Sequence, residues 1–134
     1  MMANKQPKKR DIKLIISGPD NFSDYALLEQ SLYNFLYNQK YLSIEILVTA
    51  GTQLGRYGQC FADHYNLKKR VFLINKSNDG NLALIKKNNR MLDYATDKEN
   101  RAILFSFQDK DKPEDKSMLN EAIKRGIEIY QVKE

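Results

Sequence analysis

Apolar runs of strand length recur along this chain at Ile12–Ser17, Ile44–Ala50, Arg70–Ile74, Ala102–Phe107 and Ile127–Val132, each bounded by turn residues. Runs this continuous predict strands buried on both faces, which is how parallel strands read. Between them the apolar period changes. Tyr25, Leu28, Leu32, Phe35 and Leu36 fall three and four apart and predict a helix, with Ser23 as its N-cap and Asp24 behind it. A second helix is expected over Arg56–Asn66 through Tyr57, Phe61 and Tyr65, and a third over Asn81–Ala95 through Leu82, Ile85, Leu92 and Ala95. A fourth starts near Pro113 with Glu114 and Asp115 in its first turn. It buries Met118, Leu119, Ala122 and Ile123 and stops at Gly126. Strands alternating with helices in this way require crossovers that place helices on both sides of the sheet. The expected fold is therefore α/β, a three-layer Rossmann-like sandwich with a mostly parallel sheet of about five strands. The run at Ile12 should be central, flanked by those at Ile44 and Ala102, so that the long polar loops meet at one crevice.

A chain of 134 residues suits one domain, read here as residues 11–134 behind a basic flexible tail, residues 1–10. That tail carries Lys5, Lys8, Lys9 and Arg10, much of the net charge of +5. It serves solubility or, in a second reading, meets nucleic acid or another acidic partner. No apolar run is long enough to cross a bilayer and no hydrophobic stretch follows the first residues, so a cytoplasmic location without membrane contact is expected. A lone cysteine, Cys60, rules out an internal disulfide and a metal site built on several thiolates. It is read as a small core residue, and His64, the only histidine, as an ordinary helix residue. No catalytic residue and no metal site is assigned.

In open α/β sheets the ligand crevice lies beyond the carboxyl ends of the strands. Three of those ends carry a hydroxyl, at Ser17, Thr49 and Ser106. The loop from Gly51 to Gly58 has three glycines ahead of a helix, a composition that lets backbone N–H groups approach a phosphate. Its spacing matches neither the dinucleotide fingerprint nor the phosphate loop of nucleoside triphosphatases, and glycines also serve simply to turn strand into helix. The run Lys86-Lys87-Asn88-Asn89-Arg90 crowds polar donors onto a helix. It reads either as a solvated face or as a patch facing an anion.

With these loops placed, the chain resembles the small Rossmann-like domains of the SLOG superfamily, in the bacterial and phage DUF2493/YspA-like branch. The resemblance spans Asp11 to Lys133. It rests on Ile15-Ile16-Ser17-Gly18 followed by Phe22-Ser23-Asp24, on Val48-Thr49-Ala50-Gly51 followed by Gly55, on Lys87-Asn88 with Met91, and on Ala122 with Gly126-Ile127. It implies a domain that binds a nucleotide or nucleotide-derived ligand. Several positions depart from the family pattern: Asp20 stands where an arginine is usual, Arg56-Tyr57 follow Gly55, and Lys87 replaces an arginine before Asn88. A Gly-Thr pair expected at the last helix is replaced by Glu114-Asp115-Lys116-Ser117. Related phosphoribohydrolases carry an arginine and paired glutamates that have no counterpart here.

The expected function is a non-catalytic binding domain for a nucleotide-like small molecule, held by Ser17, Gly18, Asp20, Gly51, Thr52, Gly55, Arg56, Lys87 and Asn88. No other cofactor is expected. The alternative is a protein-interaction or self-assembling domain with a degenerate ligand site. Exposed aromatic residues such as Tyr33, Tyr37 and Tyr41 would leave room for a homo-oligomer.

Overall fold

The computed structural model describes residues 10–108 and 116–133, apart from the side chains of Tyr41 and Leu42. Its elements run β1 (Arg10–Ser17), α1 (Tyr25–Tyr37), β2 (Tyr41–Thr49), α2 (Gln53–His64), β3 (Lys68–Phe72), a short α3 (Lys76–Asp79), α4 (Ala83–Thr96), β4 (Arg101–Gln108), α5 (Ser117–Arg125) and β5 (Glu128–Lys133). A 3-10 turn, Gly80–Leu82, joins α3 to α4. The strands form one sheet in the order β3-β2-β1-β4-β5, and every pairing is parallel. As expected, β1 is central and lies between β2 and β4. The order reverses at the β1/β4 boundary, which places the crevice of a doubly wound sheet there.

Alternating side chains along the strands supply two cores. Ile12, Leu14 and Ile16 of β1 join Ile44, Ile46 and Val48 of β2 under α1 and α2, through Leu28, Leu32, Phe61 and Ala62. On the opposite face Ile15, Leu47 and Leu104 pack under α4 and α5, against Met91, Leu92, Ala95, Met118 and Ala122. Helix α2 lies unusually close to the sheet. A Cβ on Gly58 would stand 2.5 Å from Val48 Cγ1 and 3.0 Å from Ile16 Cδ1, so only glycine allows this approach.

Several boundaries and burials differ from the sequence expectation. Arg10, assigned to the tail, is the first residue of β1; residues 1–9 lie outside the described residues. The cap of α1 is Asp24 rather than Ser23: its carboxylate accepts from the Leu27 N–H at 3.0 Å. Helix α2 begins three residues before the expected Arg56, because Thr52 caps it. Pro113, Glu114 and Asp115 lie outside the described residues, and α5 begins at Ser117. Gly126 ends it in the left-handed conformation, φ 71°, as expected. The run Arg70–Ile74 predicted a strand buried on both faces; β3 instead starts at Lys68, forms a sheet edge and is largely exposed. Cys60 is exposed rather than core. Leu82, Ile85 and Ile123 are also exposed, because the sheet-facing row of α4 runs through Ala83, Lys87, Met91 and Ala95, and that of α5 through Met118 and Ala122.

A charged cluster interrupts the apolar face under α4. Lys13 of β1 donates to Glu45 of β2 at 2.7 Å, Tyr94 of α4 donates to the same carboxylate, and Arg70 of β3 lies 3.5 Å from its other oxygen. The Arg70 guanidinium also covers the Tyr94 ring at 4.5 Å. Burial pushes the Glu45 carboxyl up, but hydrogen bonds from Lys13 and Tyr94, with the Lys13 and Arg70 charges, outweigh it and hold the group below its ordinary value.

Two outcomes follow. Gly58→Ala forces a methyl into a contact that a buried valine cannot relieve, so a loss of roughly 1–3 kcal/mol outweighs the gain in helix propensity. A thermal midpoint at or above that of the wild type would contradict the close approach. For Glu45 the folded value is the lower one. Its contribution is therefore present above the ordinary glutamate value of 4.5 and is lost as the pH falls through the folded value. Urea midpoints of wild type and Glu45→Gln should differ at neutral pH and converge as the pH falls through the lowered folded-state value of the carboxyl. A gap of constant size would show that the carboxylate is not held by these cations.

Candidate functional site

The loops after β1 and β2, the segment before α4 and the start of α5 enclose a cleft of about 570 Å³ at the switch point. That volume lies within the range of small-molecule sites. Ser17, Gly18, Asp20, Thr52, Gly55, Lys87 and Asn88 all line it. These are seven of the nine residues singled out in the sequence. Gly51 and Arg56 do not line it. Gly51 turns the chain at φ 76° with open space around it, and Arg56 is exposed on α2.

Gly18 lies against β4: a Cβ there would stand 2.6 Å from the Phe107 carbonyl. The next turn brings the Asp20 carbonyl to the N-terminus of α2, where it accepts from the Gln53 and Leu54 N–H groups at 2.8 and 3.2 Å. The Gly55 N–H donates to Thr52 Oγ1 at 2.8 Å, and the Thr52 hydroxyl donates to the Thr49 carbonyl at 3.2 Å. The first three N–H groups of α2 therefore already have acceptors. A phosphate at this glycine loop would have to displace them, although loop composition alone suggested a cradle. Gly55 has a packing reason as well, since a Cβ would collide with the Thr49 carbonyl.

The polar groups converge on the other wall. Lys87 is 5% exposed, and its ammonium donates to Thr49 Oγ1 at 2.8 Å. Asn88 is 3% exposed; its Nδ2 donates to Ser117 Oγ at 2.8 Å, while Oδ1 is buried without a hydrogen-bond partner among the described residues. Such a group costs about 1–3 kcal/mol if it stays unsatisfied. Thr49, Ser117, Met118, Ala83, Leu84 and Lys76 complete this side, and the sequence reading had not assigned any of them to the site. The terminal hydroxyl of β2 at Thr49 was the available signal. Ser106, the third strand-end hydroxyl, is buried and does not line the cleft.

His64 is the last residue of α2, at the opposite end of that helix from the cleft, and Cys60 faces outward. Neither lines the cleft. Among the described residues no group of three or more histidine, cysteine, aspartate or glutamate side chains could hold a metal ion. Also among them, no helix is long and apolar enough to cross a membrane. No protein-family model, curated protein or solved structure matches the chain.

The capping arrangement separates two neighbouring polar side chains. Thr52→Ala removes the acceptor of the Gly55 N–H and should lower stability by about 1 kcal/mol. Asp20→Asn keeps the backbone carbonyl that caps α2 and should change stability by less than about 0.5 kcal/mol. Chemical denaturation of both variants checks this. A larger loss for Asp20→Asn would assign the cap to the side chain.

Proposed function

We propose that this domain binds an anionic, nucleotide-like small molecule in the cleft at the β1/β4 boundary and performs no catalysis on it. One observation carries the reading: a buried lysine ammonium and a buried carboxamide with an unpartnered oxygen sit side by side, at Lys87 and Asn88, in the wall of a ligand-sized cleft. Burying the Asn88 carboxamide oxygen without a donor is unfavourable for packing alone. A ligand carrying a hydrogen-bond donor would satisfy that oxygen, an anionic group on it would meet the Lys87 ammonium beside it, and the Ser17, Thr49 and Ser117 hydroxyls add adaptable partners. The resemblance to the SLOG domains, carried by the residues around Gly18, Gly51 and Asn88, agrees with this reading.

The anion is assigned to the Lys87 side of the cleft, away from Arg56 and from the capped start of α2. Calorimetric titration with mono- and dinucleotides and nucleotide sugars tests it. Lys87→Ala should weaken binding by about ten- to a hundredfold, the worth of one charge-assisted contact. Arg56→Ala should leave the affinity unchanged. Absence of binding at millimolar ligand would replace this reading with the protein-interaction one; equal binding by Lys87→Ala would move the site elsewhere.

A further inference from the structure

The edge strand β3 carries features that the cleft does not use. We propose that it docks an extended acidic segment of a partner protein, which adds to the sheet as a further strand beside β3. Among the described residues β3 pairs with β2 alone. The Phe72 carbonyl accepts from the Ala50 N–H at 2.9 Å and so faces inward toward β2. Strand groups alternate, so Lys69 and Val71 turn their N–H and C=O outward. The following Leu73 carbonyl is taken by Arg90 at 2.6 Å, which closes the template at that end.

The side chains specify the guest. Lys69 and Val71 face the α2 side of the sheet and Lys68 and Arg70 the α4 side, as their pairing with β2 requires. An open groove of about 580 Å³ continues from Arg70 past Leu73 to Arg90. The acidic groups on this side are outnumbered: Glu45 meets both Lys13 and Arg70, and Asp79 meets both Lys86 and Arg90. Lys69 pairs with Asp63 at the exposed surface, a contact of little energetic weight. Positive charge on the α4 side and exposed Val71 on the other match a strand that alternates acidic and apolar residues. A second copy of the chain would set Lys68, Lys69 and Arg70 against the same three cations. Nucleic acid would meet the charge but not the outward main-chain donors and acceptors.

The test is fluorescence anisotropy with a labelled peptide of about eight residues alternating glutamate and valine. Wild type should bind it saturably and less tightly as salt rises. Val71→Pro removes an outward N–H and leaves the ladder to β2 intact, so it should weaken binding by about tenfold. Lys68→Glu should weaken it as well and decides the matter if the proline variant does not fold. Equal affinity for a lysine–valine peptide, tighter binding of oligothymidylate, or no binding at millimolar peptide would each overturn the proposal. Self-association of wild type that Val71→Pro abolishes would assign the edge to a second copy instead, which also overturns it.

Discussion

Strand β1 is hydrogen-bonded on both sides and covered on both faces, and the rest of the molecule is arranged around that confinement. A strand so enclosed must be apolar on each face or bring its own partners. Ile12, Leu14, Ile15 and Ile16 meet the first condition. Lys13 meets the second by reaching Glu45 on the neighbouring strand, whose carboxylate is further held by Tyr94 and Arg70. Pairs of this kind are weak evidence for stability, because desolvation offsets much of the attraction. What the cluster does is join three strands and α4 in one register. The chain then leaves β1 at Ser17, where the layers part, and the cleft opens there.

The two helices that begin at the cleft on the α2 and α4 sides illustrate how one fold closes one wall and opens another. Gly55 and Gly58 let α2 press against the sheet, and the returning Asp20 carbonyl occupies its first N–H groups. Helix α4 instead turns Lys87 and Asn88 inward just beyond the last residues of the apolar core. The buried polar side chains of the cleft thus collect on the α4 and α5 side, with Thr49 contributed from the end of β2. The free edge at β3 is a separate consequence of topology. An open sheet leaves two edges, and here one of them carries consecutive cations.

The amino-acid sequence by itself determined the alternation of elements, the central place of the Ile12 run and the strand ends at which polar loops gather. These follow from periodicity and from crossover rules, both of which are local or combinatorial. Seven of the residues chosen for the site reach the cleft because they sit at those strand ends or one turn into a helix. Only the tertiary structure decided the rest. Whether a glycine loop offers free N–H groups depended on Asp20, which is remote in the chain and brought near by the turn after Gly18. Whether Lys87 faces water or the cleft depended on which row of α4 meets the sheet, and the apolar Leu82 and Ile85 suggested a different row. An apolar run shows that a strand can be buried but not how many neighbours cover it, so Arg70–Ile74 read as interior although β3 ends the sheet. Periodicity reports what one face of an element offers; the contacts that use or leave that face come from other parts of the chain.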